Sequence, residues 1–151
     1  MNISVHLPRW IYSSCANYFD TNRGIYNFRI EDSTSPSQAP WAEFRMWGPH
    51  IKETSKNSFK VNATVNLLLS ITNSELANYR LHTMSGHFLQ KFGPISIYKN
   101  DDSSNSNLVV NDGSLVGCLE LKTPVEHTVL GKLEGYIRAT LQGQYEMFVD
   151  V

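Results

Sequence analysis

Two cysteines in 151 residues, Cys15 and Cys118, are too few and too far apart for a disulfide framework. They read as two buried free thiols in a reducing compartment. Long apolar runs are missing too. The longest, such as Leu67-Leu68-Leu69, fall far short of the ~18 residues that a membrane helix needs. With a mean hydropathy of -0.29 this argues against an integral helical membrane protein. Met1 to Pro8 has neither a basic segment nor an apolar stretch of signal-peptide length, so no leader is expected. Charge is sparse at 18% of residues and has no dominant sign: 13 Lys and Arg against 14 Asp and Glu leave -1. A chain built to coat nucleic acid would show a basic excess.

Chemical motifs are equally scarce. There is no Gly-rich phosphate loop and no Gly-x-Ser-x-Gly elbow. His82 and His87 are the histidines closest in sequence. Five residues of helix rotate through about 140°, which points them to different faces, and the four-residue zinc spacing is absent. Both read as structural or surface residues. Neither cysteine sits in a ligand-spaced cluster. Glu31-Asp32 and Asp101-Asp102 fall in loops, where carboxylates stay solvated rather than tuned for acid–base work. The sequons at Asn2-Ile3-Ser4 and Asn62-Ala63-Thr64 are short enough to arise by chance. No enzyme activity, cofactor or metal is expected.

Hydrophobic periodicity, by contrast, is plentiful. The length fits one domain, residues 1–151, by the prior of about 100–200 residues each. Leu7, Ile11, Cys15 and Tyr18 recur at helical steps over Leu7–Phe19, with Pro8 in the first turn and Asp20–Gly24 as the stop. Tyr26, Phe28 and Ile30 alternate as a strand. A Ser/Pro-rich loop spans Asp32–Pro40. Ala42, Phe44 and Met46 form a second strand that Gly48-Pro49 should break, leaving a long charged connection over Gly48–Ser58. Phe59 to Ile71 carries the strongest signal: Phe59, Val61, Ala63, Val65, Leu67, Leu69 and Ile71 share one parity. That strand should pair with the second as a long antiparallel hairpin.

Thr72-Asn73-Ser74-Glu75 has capping-box spacing, and Ala77, Leu81, Met84 and Phe88 follow at helical steps, giving a helix over Ser74–Lys91 closed by Gly93-Pro94. Ile95 and Ile97 form a short extended piece. Asn100–Asn107 reads as an exposed polar loop. Leu108-Val109-Val110 and Leu115–Leu121 are candidate strands around the Asn111-Asp112-Gly113 turn. Gly131–Val149 alternates as one last strand, with Gly143 on its apolar parity marking a bulge or close contact. The expected fold is α+β, order α-β-β-β-α-β-β, a mainly antiparallel sheet with two helices on one face.

The opposite face is polar and holds Leu68, Tyr136 and the parity of Trp41 and Trp47, a composition suited to a self-assembling contact. The candidate interface residues are Trp47, His50, Lys52, Glu53 and Lys56 around the hairpin connection, Asp101 and Asp102 in the polar loop, and Tyr136 and Arg138 on the last strand. Lys52, Lys56 and Lys60 with Trp47 and Phe59 form a basic-aromatic patch, but Glu53 interrupts it, and a charged loop meeting a protein partner fits better.

In its order of segments the chain resembles the tail terminator proteins of long-tailed bacteriophages. The resemblance rests on the opening helix Leu7–Phe19 and on Ala39-Pro40-Trp41-Ala42-Glu43-Phe44-Arg45-Met46-Trp47-Gly48. It rests also on the long strand Phe59–Ile71 running into Ser74-Glu75-Leu76, and on a last strand ending Tyr145-Glu146-Met147. It spans nearly the whole chain as pattern rather than motif. It implies a virion protein of the tail or neck, present in host cytoplasm during assembly. Such a protein forms a homo-hexameric ring that caps the tail tube and meets a tail tube protein and a neck or head-completion protein. DNA is only passing cargo, and no membrane is involved. Related head–tail connectors share overlapping folds and remain open as the role. Two other classes also remain: a binding module using Trp41, Trp47 and Tyr136, and a small enzyme centred on Cys118 or a histidine.

Overall fold

The period-two run at the centre of the chain becomes a 15-residue strand, and the rest of the fold is laid against it. The structure, a computed structural model, describes residues 3–31, 39–99 and 114–150. Its elements are α1 (Ile3–Thr21), β1 (Asn27–Ile30), β2 (Trp41–Ser55), β3 (Ser58–Thr72), α2 (Ala77–Leu89), β4 (Ile95–Tyr98), β5 (Leu115–Leu121), β6 (Glu126–Leu133) and β7 (Tyr136–Asp150). Sheet order is β1-β2-β3-β7-β5-β4, with β6 also on β7. Every pairing is antiparallel except β1 with β2, which is parallel. The fold is α+β, as the patterning predicts.

β3 buries Val61, Ala63, Val65, Leu67, Leu69 and Ile71 on one face. Ala42, Phe44 and Met46 of β2 and Ile137, Ala139, Leu141, Tyr145, Met147 and Val149 of β7 extend that face. Leu7, Ile11, Cys15 and Phe19 of α1 and Ala77, Leu81, Met84 and Phe88 of α2 join the same buried cluster, so both helices cover one side. Each large side chain sealed there contributes about 1.5–3 kcal/mol. Side-chain tethers fix the helices. Tyr18 Oη donates to the Lys91 carbonyl at 2.6 Å, and Ser14 Oγ accepts from the Tyr98 amide at 3.0 Å. Gly143 lies in close contact, where an added Cβ would meet Phe92 at 2.9 Å.

Several boundaries differ from expectation. α1 starts at Ile3, so Pro8 lies inside the helix rather than in its first turn. The missing amide removes one bond, while Leu7, Trp10 and Ile11 around it are buried and hold the helix. The capping box does not form. Thr72 is still in β3, paired with Tyr136, and Ser74 Oγ turns back to the Thr72 carbonyl. α2 therefore begins at Ala77, after Leu76 at φ 62°, and ends at Leu89 rather than Lys91.

Gly48-Pro49 bends β2 without ending it. Trp47 pairs with Thr64 and His50 with Asn62, so the extra residue is a bulge. Gly48 sits there at φ 93°, and an added Cβ would lie 2.9 Å from the His50 amide nitrogen. The expected connection Gly48–Ser58 is thus mostly ladder, closed by a turn at Lys56-Asn57. The last segment is a hairpin, not one strand. β6 returns through Glu134-Gly135, at φ 48° and 84°, into β7, with Leu133 opposite Tyr136. Two positive-φ residues in a two-residue loop match the twist of antiparallel strands. Most of the Asp32–Pro40 loop, the Asn100–Asn107 loop with Asp101 and Asp102, Leu108–Val110 and the Asn111-Asp112-Gly113 turn lie outside the described residues.

Candidate interaction face

Both helices lie on one face of the sheet, and the strand pairings define the rows of the other. Trp41 of β2, Ser70 of β3 and Arg138 of β7 lie side by side; next come Glu43, Leu68 and Thr140, then Arg45, Asn66 and Gln142. Arg29 of β1 joins beside Glu43. The Glu43 carboxylate lies 2.9 Å from Arg29 Nε and 2.7 Å from Arg45 Nε. The Arg29 guanidinium stands 4.7 Å above the Trp41 ring. Tyr136 meets the same indole edge-on, with centroids 5.1 Å apart.

This open face has a desolvated centre. Trp41 is 9% exposed, Leu68 and Asn66 are 5% exposed, and Ser70 is fully buried. Trp41 Nε1, Ser70 Oγ and Arg138 Nε, all in one row, are buried with no hydrogen-bond partner among the described residues, as is Asn66 Oδ1. A buried polar group left unpaired costs about 1–3 kcal/mol. The row thus seals two N–H donors away from solvent with no acceptor among the described residues.

The other end of the face is solvated. Trp47 is 53% exposed beside an open depression of about 340 Å³ lined by His50, Asn62, Thr64, Lys122 and Gln144. A second depression, of about 450 Å³, is lined by Cys118, Glu120, Lys122, Glu146 and Phe148. Glu146 accepts from Lys122 at 2.7 Å and lies 3.7 Å from Lys60. The hydrogen bond and charge of Lys122, with help from Lys60, hold its carboxyl below the usual carboxylate range. Lys60 also stands 5.8 Å over the exposed Phe148 ring.

The predicted interface residues fall into two groups. Trp47, His50, Lys52, Glu53 and Lys56 are exposed along the far half of β2 and its turn. Tyr136 and Arg138 lie at the opposite end of the slab, half-buried. Thr64, opposite Trp47, and Ser70, opposite Arg138, are six positions apart on β3, about 20 Å. Trp41, Trp47 and Tyr136 are consequently not exposed together: Trp41 packs on Tyr136, and Trp47 stands apart. Sequence reasoning missed Arg29, Glu43 and Ser70. Their signal was polar parity beside Trp41, visible only once the strands are in register.

No group of three or more His, Cys, Asp or Glu is placed to hold a metal among the described residues. No described helix is long and apolar enough to cross a membrane. No family model matches the chain. No curated protein matches it either. Among the solved structures similar to it, one matches over 92% of this chain and 94% of its own, with a TM-score of 0.50 and 9% sequence identity. At that identity the likeness shows the fold alone.

Proposed function

We propose that the chain is a structural subunit of a bacteriophage tail or neck that assembles head-to-tail into a ring, near six subunits, ending the tail tube. The observation that carries this reading is the composition of the face opposite the helices. Trp41, Tyr136, Arg29 and Arg138 are the residue types that dominate binding hot spots, and Trp47 and Phe148 at the far end of the same face are 53% and 64% exposed. In a head-to-tail arrangement one surface meets a different surface of the next copy, and closure makes a ring. The far half of β2, from Trp47 to Lys56, then faces the tail tube protein or a neck protein. DNA passes without being held, consistent with a net charge of -1. The order of segments that resembles tail terminators supports a tail or neck role, one that related head–tail connectors share.

The open depression beside Trp47 favours a second reading, a binding module. Light scattering with negative-stain imaging separates the two. The ring reading expects a mass about sixfold the 17.1 kDa chain and annular particles. It also expects Arg138→Glu to fall back to monomer while keeping its circular dichroism. A monomer at every concentration, or a ring indifferent to Arg138→Glu and Tyr136→Ala, overturns assembly through this face.

A further inference from the structure

The fold brings together two histidines that the sequence keeps far apart. His127 projects from β6 toward α2, where its ring centroid lies 5.8 Å from that of His82, with the planes at 79°. Both residues are exposed.

The hydrogen bonds decide which nitrogen of each ring carries the proton. His82 Nδ1 lies 2.7 Å from the Asn78 carbonyl oxygen. A carbonyl only accepts, so Nδ1 carries the hydrogen and the lone pair is on Nε2. Ser85 Oγ donates to the Leu81 carbonyl at 2.9 Å, so its one proton is in use. Ser85 Oγ therefore accepts from His127 Nε2 at 3.1 Å, which leaves the His127 lone pair on Nδ1. Each imidazole is thus anchored through one nitrogen to backbone, directly or through a buried hydroxyl. Each offers the other nitrogen, which bonds to none of the described residues.

An anchored N–H on one nitrogen with a lone pair on the other is the arrangement that orients metal-bound histidine. Two imidazoles on one metal, bonded at about 2.0–2.1 Å, hold their centroids about 5–6 Å apart, the separation found here. We propose that His82 and His127 form a two-imidazole site for a first-row transition dication such as zinc(II) or nickel(II). Imidazole nitrogen selects these ions over magnesium and calcium, which prefer oxygen. Water completes the coordination. The bound ion would clamp β6, whose one strand partner among the described residues is β7, to α2.

Calorimetric titration of the full chain with zinc chloride tests the site. The expected result is saturable one-to-one binding and a raised Tm. His82→Ala and His127→Ala, both at exposed positions, should each weaken binding at least tenfold. Cys118→Ser should leave it unchanged, and magnesium chloride should give no binding. Absence of one-to-one zinc binding overturns the site, as does binding that survives both histidine variants or is lost in Cys118→Ser. Near-ultraviolet circular dichroism of each variant identifies any loss caused by unfolding, and paramagnetic broadening of the His82 and His127 ring signals by nickel(II) in the unaltered chain then decides. Broadening that falls elsewhere overturns the proposal.

Discussion

Cys15 is sealed against the sheet, whereas Cys118 stands exposed on β5. A thiol reagent should therefore label one cysteine in the native chain and two after denaturation, and mass spectrometry of the labelled peptides checks which. Burial also pushes the Cys15 thiol above its ordinary 9.0 and the Tyr145 phenol above its ordinary 10.0. Both groups keep their proton in the fold at pH values where the unfolded chain has lost it. Their contribution is fully present below about pH 9 and declines as pH rises, first through Cys15 and then through Tyr145. Each group removes about 1.4 kcal/mol per pH unit above its unfolded pKa. Urea melts from pH 7 to 11 should show that decline, and Cys15→Ala should delay its onset by about one unit. Glu146 acts with the opposite sign. Its carboxyl is held low by Lys122, so its small surface contribution is present at neutral pH and disappears as acid protonates it.

Among the elements, the sharpest local conflict is the start of α2. Leu76 is 64% exposed at φ 62°, a left-handed conformation that costs a side chain with Cβ about 1–2 kcal/mol. Asn tolerates that conformation, so Leu76→Asn should raise stability by about 1 kcal/mol in chemical denaturation. The opposite case is the β6–β7 turn. Gly135 at φ 84° has open space around it, so Gly135→Ala fails on backbone conformation alone and should lose about 1 kcal/mol.

These sites also show what local sequence could reveal. β3 was legible from Phe59 to Ile71 because one of its faces is continuously apolar. Its continuation through Thr72 was not, since the ladder to Tyr136 competes with a capping box of good local spacing. β6 escaped notice because its residues are nearly all exposed and carry no core parity. The bulge in β2 was hidden behind Gly48-Pro49, which reads as a stop whenever the partner strand is unknown.

Across the whole molecule, the described core is one buried cluster that takes residues from both helices and six of the strands, β2 to β5 and β7 directly and β1 at its margin. Leu67→Ala, at its fully buried centre, should cost about 2–5 kcal/mol and shift the urea midpoint without changing the slope. The candidate face was only half legible at this scale. Alternation in each strand predicts a polar face. The row of Trp41, Ser70 and Arg138 comes from positions far apart in the chain and exists only through the register of β2, β3 and β7.

The tryptophans also make that face optically readable. Trp10 and Trp41 are buried, and Trp47 alone of the three is exposed. Iodide in solution should therefore quench only the Trp47 share of the fluorescence. A partner seated on the far half of β2 would shield that share. One seated over Trp41 and Tyr136 would leave it quenchable and shift the emission of the indole beneath Arg29. The chain thus reports which end of its open face is occupied, with no label attached.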